Sequence, residues 1–172
     1  MSGEENPMKR IYLEKVVLNM GIGKSGDAIE AAKAALAHIS GKRPCARDAK
    51  KTYRDFGVRK GEPIGVAVTV RGEDAAALLR RLLEARDNRV RGRAFDGHGN
   101  FSFGIKEHID VPGVKYDPKV GILGLDVCVS LARPGSSVSR RSRHKASVGA
   151  SHVITADEAR SFVAERFGVA MA

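Results

Sequence analysis

Ile64-Gly65-Val66-Ala67-Val68-Thr69-Val70-Arg71 alternates without a break, and this alternation sets the architecture. Ile64, Val66, Val68 and Val70 fall on one side of an extended chain. Gly65, Ala67, Thr69 and Arg71 fall on the other, the period of a strand buried on one face. Gly57, Gly61 and Pro63 mark a loop before it. After Gly72 the pattern changes to the Ala and Leu spacing of a helix over Glu73 to Arg86, with Arg80, Arg81, Glu84 and Arg86 on its polar side.

The same strand-then-helix order occurs upstream. Glu14 to Met20 puts Val16, Leu18 and Met20 on one side and Lys15, Val17 and Asn19 on the other. Gly21, Gly23 and Gly26 end it. Asp27 to Ser40 then spaces Ile29, Ala32, Leu36 and Ile39 as a helix does, with Asp27 as N-cap and Gly41 just past the end. Downstream, a glycine-rich loop covers Phe95 to Gly104, and a strand is predicted from about Ser102 to Ile109. Pro112, Gly113 and Pro118 make a loop, and Leu125 to Leu131 alternates again. Thr155-Ala-Asp-Glu158 has the form of a capping box, opening a last helix with Phe162, Val163 and Phe167. No internal repeat is visible. Strands buried on one face and helices to cover it predict a single α+β domain over residues 1–172, with a largely antiparallel sheet whose other face is open and polar. Residues 1–10 are expected to be flexible, and 133–153 to form a basic insertion loop before the C-terminal helix.

The net charge of +10 is unevenly placed. Lys42 to Lys60 holds eight cations (Lys42, Arg43, Arg47, Lys50, Lys51, Arg54, Arg59, Lys60) against Asp48 and Asp55. The middle of this segment reads as an edge strand. Arg133 to Val148 holds five cations (Arg133, Arg140, Arg141, Arg143, Lys145) and no acid, and the remaining chain is close to neutral. Two basic segments on a neutral body are what a phosphate-rich partner selects, because each neutralised phosphate releases condensed counterions. Neither segment has the apolar stripe of a helix that lies on a membrane. The second has Pro134, Gly135 and five Ser, so it is expected to be mobile until a partner orders it, with Arg140, Arg141, Arg143 and Lys145 open to trypsin.

Other chemistry is poorly represented. Cys45 and Cys128 are far apart and in no C-x-x-C pair, which reads as reduced structural thiols in a cytoplasmic protein. No apolar run approaches a membrane span, and the polar start has no apolar core of a signal peptide. The five histidines lack metal-ligand spacing, so no metal or other cofactor is expected. Gly21-Ile-Gly23-Lys-Ser-Gly26 follows a strand and precedes a helix, as a dinucleotide-binding oxidoreductase would require. The expected acid about 20 residues on is only Asp48 inside a basic run, and tight-turn glycines explain the pattern. A P-loop fails because Leu18 stands where its first glycine belongs. Gly99-Asn-Phe101-Ser-Phe103-Gly104 could offer two rings to bases, as an RNA-recognition motif does, but the partner aromatic strand is missing. Nothing asks for catalysis.

Several stretches together resemble one family: Leu18-Asn19-Met20-Gly21-Ile-Gly23, Ile39-Ser-Gly41-Lys42-Arg-Pro44, Phe56-Gly-Val-Arg59-Lys-Gly61-Glu-Pro63-Ile64-Gly65, Val68-Thr69-Val70-Arg71-Gly72 and Phe95-Asp96-Gly97-His-Gly99-Asn100-Phe101. In this order they resemble the ribosomal protein L-five family of the large subunit. Arg133-Pro134-Gly135-Ser136 through Arg140, Gly149, His152 and Ile154 resembles its archaeal and eukaryotic branch, in which a basic insertion precedes the last helix. The resemblance implies a non-enzymatic ribonucleoprotein component that binds 5S rRNA with the open sheet face and touches large-subunit rRNA. It also implies a loop extended toward P-site tRNA, and neighbours in the central protuberance and at a bridge to the small-subunit head. By the same resemblance, Asn19, Lys42, Thr69 and Arg71 match 5S rRNA contacts, and Arg59, Lys60, Gly61 and Pro63 belong to the tRNA-facing loop. Lys42 stands where bacterial members often have Gln, which keeps a donor but changes its shape. The alternation independently puts Asn19, Thr69 and Arg71 on uncovered faces. Arg140, Arg141, Arg143 and Lys145 are the RNA-binding candidates of the insertion.

Overall fold

In the computed structural model, which describes residues 6–23, 26–114 and 121–171, the three alternating stretches lie side by side. Strand β1 (Tyr12–Gly21) is followed by helix α1 (Asp27–Ser40), strands β2 (Cys45–Asp48) and β3 (Pro63–Val70), and helix α2 (Glu73–Glu84). A short β4 (Arg89–Val90), β5 (Phe101–Ile105), β6 (Leu125–Ala132), helix α3 (Ala156–Phe167) and a short β7 (Ala170–Met171) complete the order. Five strands form one antiparallel sheet in the order β2-β3-β1-β6-β5, and β4 pairs in parallel with β7.

The register follows the apolar pattern. Val16 faces Val70, Leu18 faces Val68 and Met20 faces Val66, and across β6 Leu18 faces Val127. These side chains join Leu36 and Ile39 of α1 and Leu79, Leu82 and Leu83 of α2 in one buried cluster. Burying each such side chain is worth about 1.5–3 kcal/mol. A slip of one residue would expose the whole set, so the register is tightly specified. None of the described helices is long and apolar enough to cross a membrane.

Several boundaries differ from expectation for local reasons. β1 begins at Tyr12 rather than Glu14, because a bulge between Leu13 and Lys15 turns Leu13 toward Leu131 and leaves Lys15 opposite Ser130. The cap of α1 is Gly26, with Asp27 and Glu30 in the first turn, where they face the positive helix end. α2 stops at Glu84, and Asp87 and Asn88 follow with positive φ. β5 ends at Ile105, not Ile109. Ile105 pairs with Leu125, the first residue of β6, so the ladder has no further partner. The chain turns instead at His108–Asp110, where buried His108 accepts the Leu123 N–H at Nδ1. The capping box forms as expected, and Gly41 ends α1 in the left-handed conformation. Residues 1–5, Lys24 and Ser25 of the glycine-rich turn, and Pro118 of the expected loop lie outside the described residues.

Candidate nucleic-acid interface

Cross-strand register shows what the face away from α1 and α2 is made of. One row runs Cys45, Ala67, Asn19, Asp126, Gly104, and the next runs Thr69, Val17, Cys128, Ser102. Lys15 with Ser130 lies beyond the second row, and Arg47, Gly65 and Gly21 lie beyond the first. The floor is therefore small and mostly polar, with cations at the ends. Gly65 and Ala67 belong to this face yet are buried, because the neighbouring strands close over such short side chains. A Cβ on Gly65 would stand 2.9 Å from the Met20 carbonyl oxygen, so this position needs its glycine.

The face brings Asn19 and Thr69 together near its middle, and Arg71 leaves it at the end of β3. Lys42 stands near that same end, but at the seam between the helices, where its Nζ lies 2.7 Å from Asp74. Both free cysteines are exposed and belong to the open face, so they are surface groups rather than the structural thiols expected from sequence. Phe101 and Phe103 point the other way: they are 2% and 8% exposed, and in the core Phe101 stacks between Phe95 and Phe103. Their rings are not available to bases, which removes the RNA-recognition-motif reading. The antiparallel order likewise removes the dinucleotide reading, since β1, α1 and the next strands form no parallel crossover. Among the described residues no three His, Cys, Asp or Glu come together as a metal site would need.

The insertion divides into cations of different kinds. Arg133 is 7% exposed and donates to the carbonyls of Lys9, His152 and Val153 and to Glu158, so its charge is spent inside the fold. Arg140 forms a two-pronged ion pair with Glu14, one arm through Nη1 and Oε1 and the other, 2.7 Å long, through Nη2 and Oε2. Arg71 Nη1 reaches the same carboxylate at 3.4 Å. Hydrogen bonding from Arg140 holds the Glu14 carboxyl below its ordinary range despite partial burial, helped by the charges of Arg140 and Lys15. Arg141 bonds the His144 carbonyl through Nε, and Arg143 and Lys145 are exposed.

The loop between β2 and β3 leaves the opposite end of the sheet. Arg71, just past β3, is six residues from Gly65, which puts the two ends of the face roughly 20 Å apart. The loop is a small hairpin of its own: Tyr53 and Val58 exchange backbone hydrogen bonds, Gly61 N–H donates to the Ala49 carbonyl, and Lys60 N–H donates to the Thr52 hydroxyl. Its tip is Arg54–Gly57, closed by the Gly57 N–H on the Arg54 carbonyl. Gly61 and Pro63, expected at the protruding turn, are instead at its root, with Pro63 already opposite Asp48. Arg59 and Lys60 lie on the returning arm and are exposed. Sequence reasoning missed Phe56 at the tip and Tyr53 just below it, which are 79% and 55% exposed. It also missed Glu14, an acid with no pattern of its own in the sequence.

Comparison with known proteins gives one consistent result. The family model described as ribosomal protein L5 matches residues 6–59, and the model for the C-terminus of the same ribosomal family matches residues 63–163. The chain is 67% identical over 168 residues to a large ribosomal subunit protein uL5 from Nitrosopumilus maritimus (strain SCM1), covering 98% of this chain and 97% of that one. It is 68% identical to the protein of the same name from Cenarchaeum symbiosum (strain A), over 94% and 96% of the two chains. It is 53% identical to that of Pyrobaculum aerophilum, over 95% and 92%.

Proposed function

This chain belongs to the ribosomal protein L5 family, structural and non-enzymatic components of the large subunit of the cytoplasmic ribosome, and we propose that it binds 5S rRNA with the open face of its sheet. The observation that carries the reading is the floor of small polar residues around Asn19, Asp126 and Thr69, with Lys15, Arg71 and Arg47 at its ends. Such a floor lets the ribose side of an RNA strand approach, where the Asp126 carboxylate accepts from a 2′-hydroxyl while the terminal cations take the phosphates and fix the register. Arg141, Arg143 and Lys145 reach large-subunit rRNA, and Lys42 contributes at the helix seam. The loop carrying Arg59, Lys60, Gly61 and Pro63 extends toward P-site tRNA. The protein takes its place in the central protuberance and helps form a bridge to the small-subunit head. Filter binding of 5S rRNA and of an unrelated structured RNA across a salt series tests the central claim. Preference for 5S rRNA that persists as salt rises supports it, and equal affinity for both RNAs refutes it.

A further inference from the structure

Glu14 is an acid on the basic side of the molecule, and its geometry is unusual. Its side chain is only 8% exposed, whereas those of Arg140 and Arg71 are 55% and 59% exposed. The carboxylate is thus underneath and the two guanidiniums are outside it. Glu14 takes two N–H groups from Arg140 and one from Arg71, which leaves most donors of both forks directed elsewhere. It occupies the bulge of β1, next to Lys15 on the open face. The two arginines come from places far apart in the chain, the end of β3 and the insertion, and one buried carboxylate holds them side by side.

We propose that Glu14, Arg71 and Arg140 form a composite phosphate site in which Glu14 is the positioning residue and the two guanidiniums, with Lys15, receive an RNA phosphodiester. The inference rests on the reading of the open face as an RNA surface and adds a site to it. The physical reason is preorganisation. Two exposed arginines converging on one phosphate would otherwise repel one another and lose rotamer freedom on binding. The carboxylate screens the repulsion and fixes both side chains beforehand. The cluster stays net positive, so an anion is still attracted.

This inverts the ordinary effect of charge. Removing an acid from a surface that binds polyanions should tighten binding, yet here Glu14→Gln is expected to weaken it. The amide can accept from only one guanidinium arm and presents its NH₂ to the other. Filter binding of the full-length parent and Glu14→Gln to 5S rRNA, over a salt series, should show a loss of roughly tenfold or more in the variant. Arg140→Ala should cost a similar factor, and the double variant should lose little beyond either single one. Arg140→Lys keeps the charge but not the fork, so it too should bind more weakly, with the salt slope preserved. Thermal unfolding of each variant separates a folding defect from a binding one, and Arg140→Lys supplies the answer if Glu14→Gln does not fold. Binding by Glu14→Gln or by Arg140→Lys equal to or tighter than that of the parent overturns the site. If the parent itself does not prefer 5S rRNA, the reading of the face fails instead.

Discussion

Arg133 Nη2 lies 2.8 Å from Glu158 Oε1, and the other oxygen of the same carboxylate accepts the Thr155 N–H at 2.9 Å. One carboxylate therefore closes the capping box of α3 and anchors a buried guanidinium at the end of β6. Through the Lys9, His152 and Val153 carbonyls, that guanidinium also ties the N-terminal segment and the approach to α3 to the sheet.

Arg133→Ala should destabilise the protein by at least about 2 kcal/mol, because the Lys9, His152 and Val153 carbonyls lose their donor, whereas Glu158, 44% exposed, turns to water. Arg133→Lys should recover little, since an ammonium cannot reach four acceptors in a planar fork. Urea unfolding with matched slopes is the measurement, and a loss below about 1 kcal/mol for the alanine variant would show that the network is dispensable.

Acid should weaken the same region. A backbone hydrogen bond from Thr155, then Arg133, holds the Glu158 carboxyl below its ordinary 4.5 against desolvation, and Arg140 does so for Glu14. For a carboxyl whose pKa is depressed by folding, the stabilisation is complete above the unfolded value. It is lost as pH falls through the folded one. The stability gap between parent and Glu158→Gln should therefore be full near neutrality and shrink progressively below about pH 4.5. A gap unchanged from neutral to strongly acidic pH would contradict the assignment.

Gly99 should tolerate no side chain. Its φ is +78°, and an added Cβ would stand 2.6 Å from Ile154 Cγ2 and 2.8 Å from Ile154 Cβ. Gly99→Ala combines left-handed strain with overpacking and should cost at least about 2 kcal/mol. A shift in the unfolding midpoint equivalent to less than about 0.5 kcal/mol would mean that the Ile154 segment moves freely out of the way.

On the open face, Asn19→Ala and Arg71→Ala should lower both affinity for 5S rRNA and discrimination against other RNAs, by about 1–3 kcal/mol each. Changes at Arg143 or Lys145 should instead weaken all RNAs alike and reduce the salt slope. Parent-like binding by both face variants would show that the floor does not touch RNA.

In the free protein, trypsin should cut the insertion first, at Arg141, Arg143 or Lys145, with Arg140 slower because Glu14 holds it. Assembly into the subunit should protect all four sites. Equal cleavage rates in free protein and intact subunits would remove the insertion from the RNA contacts.

The sequence by itself determined the α+β class, the three long alternating strands, the C-terminal end of α1, the capping box of α3 and the one-sided burial of the sheet. Each is a local signal: a period of two or of 3.6, a turn glycine, or a Thr and Glu three residues apart. It also determined where the positive charge is concentrated, and the alternation alone put Asn19, Thr69 and Arg71 on uncovered faces. Only the tertiary structure decided which basic residues are surface. Arg133 and Arg140 look alike in a Ser- and Arg-rich run, yet one is buried on carbonyls as far as 124 residues away and the other is held by an acid 126 residues away. The bulge that presents Glu14, the inward turn of Phe101 and Phe103, the exposure of Cys45 and Cys128, and the position of the loop tip at Arg54–Gly57 were likewise set by pairing register. Local patterns fix which residues can share a face. Which partners they meet depends on strands brought together from distant parts of the chain, because hydrogen bonds and ion pairs act over a few ångströms and carry no signature in local spacing.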